Sequence, residues 1–410
     1  MIETKNNRIK KAYKITMLFS LYLSQGLPFG YQATALPVYL RQNGISLTLI
    51  GFSTILAAPW FLKVLWAPAV DTFWNRKTGR RRSWIIPLQI LLFISILSAS
   101  FTSATGMTFL VINIFIMNLV SATQDIAVDG LAVDILSEND LGYGNAAQVV
   151  GYKSGMIISG GLLVWLSQFF AWKVLFTVMA VISVIPLILI TFYNEADSVR
   201  EYVKRITMPD LLTILKKSFL KSSFRWLIFF VAVYKFGEIM IDIMYKPFLI
   251  DSGIAPSNIG LWVGTYGMAA SIAGSAAGGV LASRLSVYRS LLTACILRLF
   301  PLIYISVLTF ITPESYHVII STLLEHFFGG LLTTALFAFM MFNVDKSIGA
   351  THYTLLAAVE VIGKTPGALF SGFLTEMTGY SVCFIAGTVI SCAVIFILPF
   401  YNKSLSREQI

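Results

Sequence analysis

Charge is scarce in this chain. Of 410 residues only 12% are Asp, Glu, Lys or Arg, where a soluble domain carries about 25%. That shortage excludes an ordinary water-soluble globule. Cysteine is scarcer still: Cys295, Cys383 and Cys392 are too few and too scattered for a disulfide framework and are expected to be packing residues. His317, His326 and His352 show no metal-ligand spacing, so no metal or other cofactor is expected. No Gly-x-x-x-x-Gly-Lys-[Ser/Thr] run occurs, which removes a nucleotide-driven motor. An intramembrane enzyme would need a nucleophile–base set or metal ligands, and the isolated histidines offer neither.

What is abundant is apolar sequence, 57% of the chain. It falls into windows of roughly 20 residues cut by short polar turns, the pattern of a polytopic membrane protein. Twelve spans are expected, near 13–40, 47–70, 84–104, 107–133, 145–168, 172–193, 224–249, 257–282, 290–311, 316–342, 350–374 and 379–400. No small-residue cleavage site follows the first span, which is read as retained. The longest connection contains "MPDLLTILKKSFLK", an expected amphipathic helix on the membrane surface. The net charge of +10 is topological. Apart from six bases inside spans, only Arg41 and Lys173 fall outside the N-terminus, the even-numbered connections and the C-terminus. That asymmetry puts both termini in the cytoplasm and makes a nucleic-acid partner unnecessary.

The chain also repeats. "LPVYLRQNGISLTLIG" (36–51) matches "KPFLIDSGIAPSNIG" (246–260) at Pro37/Pro247, Gly44/Gly253 and Gly51/Gly260. "GYKSGMIISGG" in span five corresponds to "GKTPGALFSG" in span eleven. An all-α architecture of two six-helix pseudo-repeats is expected: an N-terminal bundle (1–193), a linker with a surface helix (194–223) and a C-terminal bundle (224–410). Such repeats bind a solute near mid-membrane and rock to alternate access. A self-contained bundle of this size makes the monomer the default.

Charges inside spans cost roughly 2.5–3.5 kcal/mol each to insert, so they are functional candidates. The stretch "KFGEIMIDIMYK" (235–246) carries four of them. On one continuous helix, Lys235, Glu238, Asp242 and Lys246 share an arc of roughly 80°. Lys235 and Lys246 are expected to attract anionic substrate groups, and Glu238 or Asp242 to carry a proton. Spacings of three and four would let the stripe partly neutralise itself. In span one, Gln25, Phe29 and Gln32 share a face, and Gly26, Pro28 and Gly30 are expected to interrupt the helix. In span four, Gln124 and Asp125 are read as cavity residues, and Asp129 as a partner for a base such as Lys153. Glu360 and Lys364 make an i, i+4 pair; Arg298 is a tether or substrate ligand; Glu325, beside His326, is a further proton site.

Two resemblances follow. "WAPAVDTFWNRKTGRRRSW" is similar to the loop of the major facilitator superfamily at Asp71, Gly79 and Arg80–Arg82, though Ala67 replaces a glycine. "GVLASR" offers a partial second copy, with Gly279 and Arg284 matching and Ser283 in place of the acid. The resemblance implies a cytoplasmic latch in which Asp71, Arg80, Arg81, Asp129 and Lys153 act in gating. "QGLPFGYQATALPVYLRQNGISLTLIGF", "APWFLKVLWAPAVD" and "TQDIAVDGLAVDIL" resemble the AmpG-like branch. That branch holds muropeptide permeases, acetyl-coenzyme A transporters and siderophore permeases of the RhtX/FptX type. The opening motif reads most like the last, implying proton-coupled siderophore import across the bacterial inner membrane; muropeptide and acetyl-coenzyme A are the alternative cargoes.

Overall fold

In hydrocarbon every backbone N–H and C=O needs a partner within the protein, and a helix supplies it inside the segment. The computed structural model describes residues 2–36, 53–101, 106–167, 169–195 and 206–401. Among them all regular structure is helical, apart from an isolated bridge between Asn75 and Gly79. Pro37, Arg41, Gly44 and Gly51, which carry part of the expected repeat, lie outside the described residues.

Helix α1 (Ile2–Gly30) runs into a wide π turn (Tyr31–Ala35). Short helices α2 (Ala58–Leu62) and α3 (Ala67–Thr72) follow, and then α4 (Arg82–Ala99) and α5 (Met107–Ile135). Next come α6 (Leu141–Ile157), α7 (Leu163–Leu166), α8 (Trp172–Phe192) and α9 (Met208–Leu220), the last at the expected surface helix. The remainder is α10 (Ser222–Val233), α11 (Phe236–Asp251), α12 (Pro256–Ile259), α13 (Gly267–Arg284), α14 (Val287–Leu308), α15 (Ser315–Phe342), α16 (Gly349–Thr378) and α17 (Tyr380–Ile395).

Six of the described helices are long and apolar enough to cross a membrane on those criteria alone. Several other expected spans are irregular. The second is broken into α2, a 3-10 turn (Lys63–Leu65) and α3, with Pro59 and Pro68 near their starts. The seventh breaks at Tyr234–Lys235, between α10 and α11. Lys235 therefore caps the start of α11, with Glu238, Asp242 and Lys246 following it along one face of that helix.

The contacts divide the chain into two units. One comprises Met1–Ser137, Ala146–Leu211 and Val344–Thr354; the other comprises Glu138–Asn145, Leu212–Asn343 and Leu355–Ile410. Helices α6 and α16 each begin in one unit and continue in the other. The first unit has an apolar core that includes Leu27, Tyr31, Leu92, Met117 and Phe176. The second is built around Met240, Tyr245, Leu302, Val318 and Phe384.

Glycine sets helix spacing in both units. A Cβ on Gly26 would lie 2.2 Å from the Tyr152 carbonyl oxygen, and one on Gly30 2.5 Å from Met156 Cα. Helix α1 runs unbroken through Gly26 and Pro28, so the expected interruption there is instead a close approach to α6. In the second unit, a Cβ on Gly274 of α13 would meet the Phe327 carbonyl oxygen of α15 at 1.8 Å. Gly274→Val must push these helices apart. Overpacking of this kind costs about 1–3 kcal/mol, so the expected result is a Tm lowered by several degrees in a detergent melt; an unchanged Tm would show that the helices are not held this tightly.

Candidate functional site

The polar turn between α3 and α4 builds a compact ionic cluster in the first unit. Asp71, 1% exposed, lies in the last turn of α3 and accepts from Arg80 and Arg81, each at 2.7 Å. Arg81 also reaches Asp134 at 2.7 Å. Gly79, at φ +107, turns the chain so that the backbone N–H groups of Arg81 and Arg82 both donate to Glu195. A carboxylate there also favours the positive N-terminal end of α4. The other oxygen of Asp71 accepts from the Thr351 backbone N–H at 2.8 Å and hydroxyl at 2.7 Å. Arg80 additionally donates to the Lys346 and Ser347 carbonyls. The cluster thus clasps residues 346–351, which come from the far half of the sequence.

Burial alone would raise the Asp71 carboxyl, but Arg81, Arg80 and the Thr351 hydrogen bonds hold it below the ordinary 3.8. Arg81 is pushed up, because Asp134 and Asp71 outweigh its burial.

Deeper in the same unit, Lys63 of the 3-10 turn forms an ion pair with Asp125 of α5. Asp129, one turn further along, accepts from the Tyr22 hydroxyl at 2.8 Å and the Gln148 amide at 3.0 Å. Lys153, the base expected near Asp129, is half-buried on α6. Gln124 donates to Gln89, which in turn donates to Ser24 and the Ser183 carbonyl. Gln25 is fully buried, and neither end of its amide has a partner. Gln32 is 6% exposed. Phe29 packs against Trp60 and Tyr152.

The second unit has its own charged centre. Arg298 of α14, 2% exposed, contacts Glu238 at 3.0 Å, Glu325 at 2.5 Å and, more distantly, Asp242 at 3.9 Å. His326 contacts Glu325 through Nδ1. One ligand oxygen each from Glu238, Asp242 and Glu325 lie within 4.8 Å of one another. Lys235 stays within electrostatic reach of Glu238 and Asp242, as the stripe predicts, and both acids also turn to Arg298. Lys246 is exposed, whereas Lys235 is half-buried beside Tyr234. Glu360 pairs with Lys364 at 3.1 Å and accepts from the Tyr234 hydroxyl at 3.0 Å.

Several partners escaped the sequence reading. Lys63 carried the same signal as the chosen residues, a base inside an apolar span. Asp134 and Glu195 sit at span ends and resemble ordinary boundary charges. Tyr22, Gln148, Tyr234 and Thr351 have no one-dimensional signature, because their role depends on a second helix.

Two outcomes follow for these clusters. Asp71→Asn leaves two buried guanidiniums short of an anion, a loss of about 3–5 kcal/mol. Since the native carboxyl is depressed, its contribution is present at neutral pH and is lost only as pH falls below the ordinary carboxylate range. The Tm gap between wild type and Asp71→Asn is therefore expected to be flat from pH 7 to about 5; a gap closing near neutrality would contradict the cluster. In the second unit, Arg298→Met strands three acids and is expected to lower the Tm strongly, with added Glu238→Gln recovering part of the loss. A double variant no more stable than the single one would count against Arg298 as their shared counter-charge.

Comparisons with known proteins agree with this architecture. A family model described as acetyl-coenzyme A transporter 1 matches residues 14–187. The chain is 27% identical over 406 residues to the anhydromuropeptide permease of Escherichia coli K12, covering 98% of this chain and 82% of that protein. It is likewise 27% identical to a putative transporter, AmpG 4, of Rickettsia conorii, covering 97% of this chain and 99% of that one. Among solved structures, the major facilitator superfamily transporter FucP matches with a TM-score of 0.69 at 12% identity, over 94% of this chain and 98% of FucP. A bacterial homologue of the iron transporter ferroportin matches at 0.66 with 16% identity, over 96% of this chain and 99% of that one. The chain is an all-helical membrane protein with the major facilitator fold, similar along nearly its whole length to permeases of the AmpG-like branch.

Proposed function

We propose that this protein is a secondary active transporter of the bacterial inner membrane that imports anhydromuropeptides together with protons. The observation that carries the cargo is the similarity to an anhydromuropeptide permease over 98% of the chain. The siderophore cargo implied by the opening motif is not supported by these similarities. A second reading, acetyl-coenzyme A transport, draws on the family match over residues 14–187. It is the weaker of the two, because that substrate calls for a phosphate site and the buried Arg298 is already engaged by carboxylates.

Proton coupling is supported by the charge balance of a buried centre. In the second unit Glu238, Asp242 and Glu325 gather around Arg298. An excess of buried carboxylate is relieved by a proton, so this centre can exchange one with a hydrated pathway. Arg298 then acts chiefly as counter-charge for Glu238 and Glu325, leaving Asp242, 31% exposed, as the acid reached most readily by water. The Asp71–Arg80–Arg81 clasp on residues 346–351 acts as the cytoplasmic latch, which must open before cargo leaves to the cytoplasm.

The experiment is uptake of radiolabelled anhydromuropeptide into cells with and without this protein, with ferric siderophore and acetyl-coenzyme A as competing arms. Protein-dependent muropeptide accumulation, abolished by a protonophore and reduced at least about tenfold by Asp242→Asn, is the expected result. Accumulation of either competitor alone would reassign the cargo.

A further inference from the structure

The connection between the two repeats carries a helix whose exposed side is largely apolar. Helix α9 is held at its start by a reciprocal cap. Asp210 accepts from the Thr207 backbone N–H at 3.2 Å and hydroxyl at 2.7 Å, and its own backbone N–H donates back to that hydroxyl at 3.4 Å. The inner face holds Leu211 and Ser218, both buried, with Ile214 and Leu215 half-buried beside them. At about 100° per residue, Met208, Leu212 and Phe219 lie within an arc of about 40° to one side of that face. All three are exposed, and Leu220, further round, is 70% exposed. A helix on a water-facing surface turns its polar residues outward; this one turns a second apolar stripe outward.

Basic residues accompany the stripe, and no acid opposes them. From Leu211 to Gly237 the sequence holds Lys216, Lys217, Lys221, Arg225 and Lys235 but neither Asp nor Glu. The first four are exposed, and among the described residues none of their side chains has an ion-pair partner. Lys216 stands one turn from Leu212 at the border of the stripe, whereas Lys217 is about 140° round the helix from Leu212. Lys221, in an extended conformation, turns the chain from α9 into α10. Across this corner the Phe219 and Phe224 rings meet edge-on, with centroids 5.4 Å apart. Arg225 follows in the first turn of α10, and next to it Trp226 stacks on Phe400 at 5.3 Å. Tryptophan at the mouth of a span marks the boundary between headgroups and hydrocarbon. The corner therefore sets the C-terminal end of α9 at headgroup depth, with its stripe and its bases exposed.

We propose that α9 and the first turn of α10 form a binding surface for anionic phospholipid. Met208, Leu212 and Phe219 enter the acyl boundary, while Lys216, Lys221 and Arg225 hold headgroup phosphates. Charge complementarity selects this occupant. Zwitterionic lipid would cover the stripe equally well but would leave the three bases without a net counter-charge. A soluble protein would have to reach a helix that already lies at headgroup depth. Lysine suits the role, because its stem lies along apolar surface while the ammonium stays among the phosphates. Each base near an anionic membrane surface is worth about a fivefold gain in affinity. Lys217, turned away from the stripe, is the base that the surface does not need. The asymmetry of basic residues is expected to place this connection on the cytoplasmic side, so the lipid is that of the inner leaflet. The surface is independent of the cargo and of the proton pathway.

The test is hydrogen exchange of the full chain in lipid nanodiscs, read by mass spectrometry over residues 208–221. One set is phosphatidylcholine alone, a second holds about one third phosphatidylglycerol, and a third is phosphatidylcholine with inorganic phosphate in the buffer. Phosphatidylglycerol is expected to slow exchange across this segment at least about fivefold, and free phosphate to leave it unchanged. Salt at about 1 M, which screens exposed charges beyond about 3 Å, should reverse most of the slowing. A variant combining Lys216→Gln, Lys221→Gln and Arg225→Gln should lose it, and Lys217→Gln should keep most of it. Five outcomes overturn the proposal: no difference between the two lipid sets, slowing by free phosphate alone, slowing that survives high salt, a triple variant that responds like the wild type, or its loss in Lys217→Gln. If the triple variant fails to fold, the wild-type responses to lipid, phosphate and salt decide it alone.

Discussion

A charge taken out of water must meet an opposite charge, accept hydrogen bonds or lose its ionisation. In a chain that is 57% hydrophobic, that constraint organises everything polar in the interior. Asp71 holds two guanidiniums and a threonine; Arg298 holds Glu238 and Glu325; Asp125 holds Lys63. None of these side chains packs as a hydrophobic residue would, and breaking any one set leaves others stranded. The apolar helices around them matter chiefly because they keep water scarce enough for the pairing to be strict.

Helix irregularity follows the same logic. At two of the charged residues the backbone departs from a plain α-helix: Lys63 lies in a 3-10 turn, and Lys235 at a break between α10 and α11. A π turn follows Gly30, just past Gln25 and Phe29. Such departures survive at membrane depth only where neighbouring protein or a hydrated space satisfies the freed backbone groups. The helices α8 and α17 hold none of these buried charge clusters and expose large apolar residues, among them Val181, Ile185 and Val389.

The buried charge clusters differ in how they are built. The Asp71 cluster is assembled from an interior carboxylate, a tight turn at Gly79 and the Glu195 cap on α4, so several segments depend on it at once. The Lys63–Asp125 pair joins two segments through a single ion pair.

Composition alone determined that the chain lies in a membrane, because about 20 apolar residues in a row have no other stable solvent. The repeated Pro and Gly pattern and the turn resembling that of the major facilitator superfamily made the fold legible as well. Individual charges were legible too: Glu238, Arg298, Asp125 and Glu360 announce themselves by the cost of placing them in apolar sequence. Their partners were not. Whether Glu238 turns to Lys235 on its own helix or to Arg298 on another is decided by helix rotation and spacing, and those depend on close contacts such as Gly274 against Phe327 or Gly26 against Tyr152. Tyr22 and Gln148 reach Asp129, and Thr351 reaches Asp71, from segments far away in the chain. A sequence states the price of each buried charge locally; only the packed helices decide which neighbour meets it.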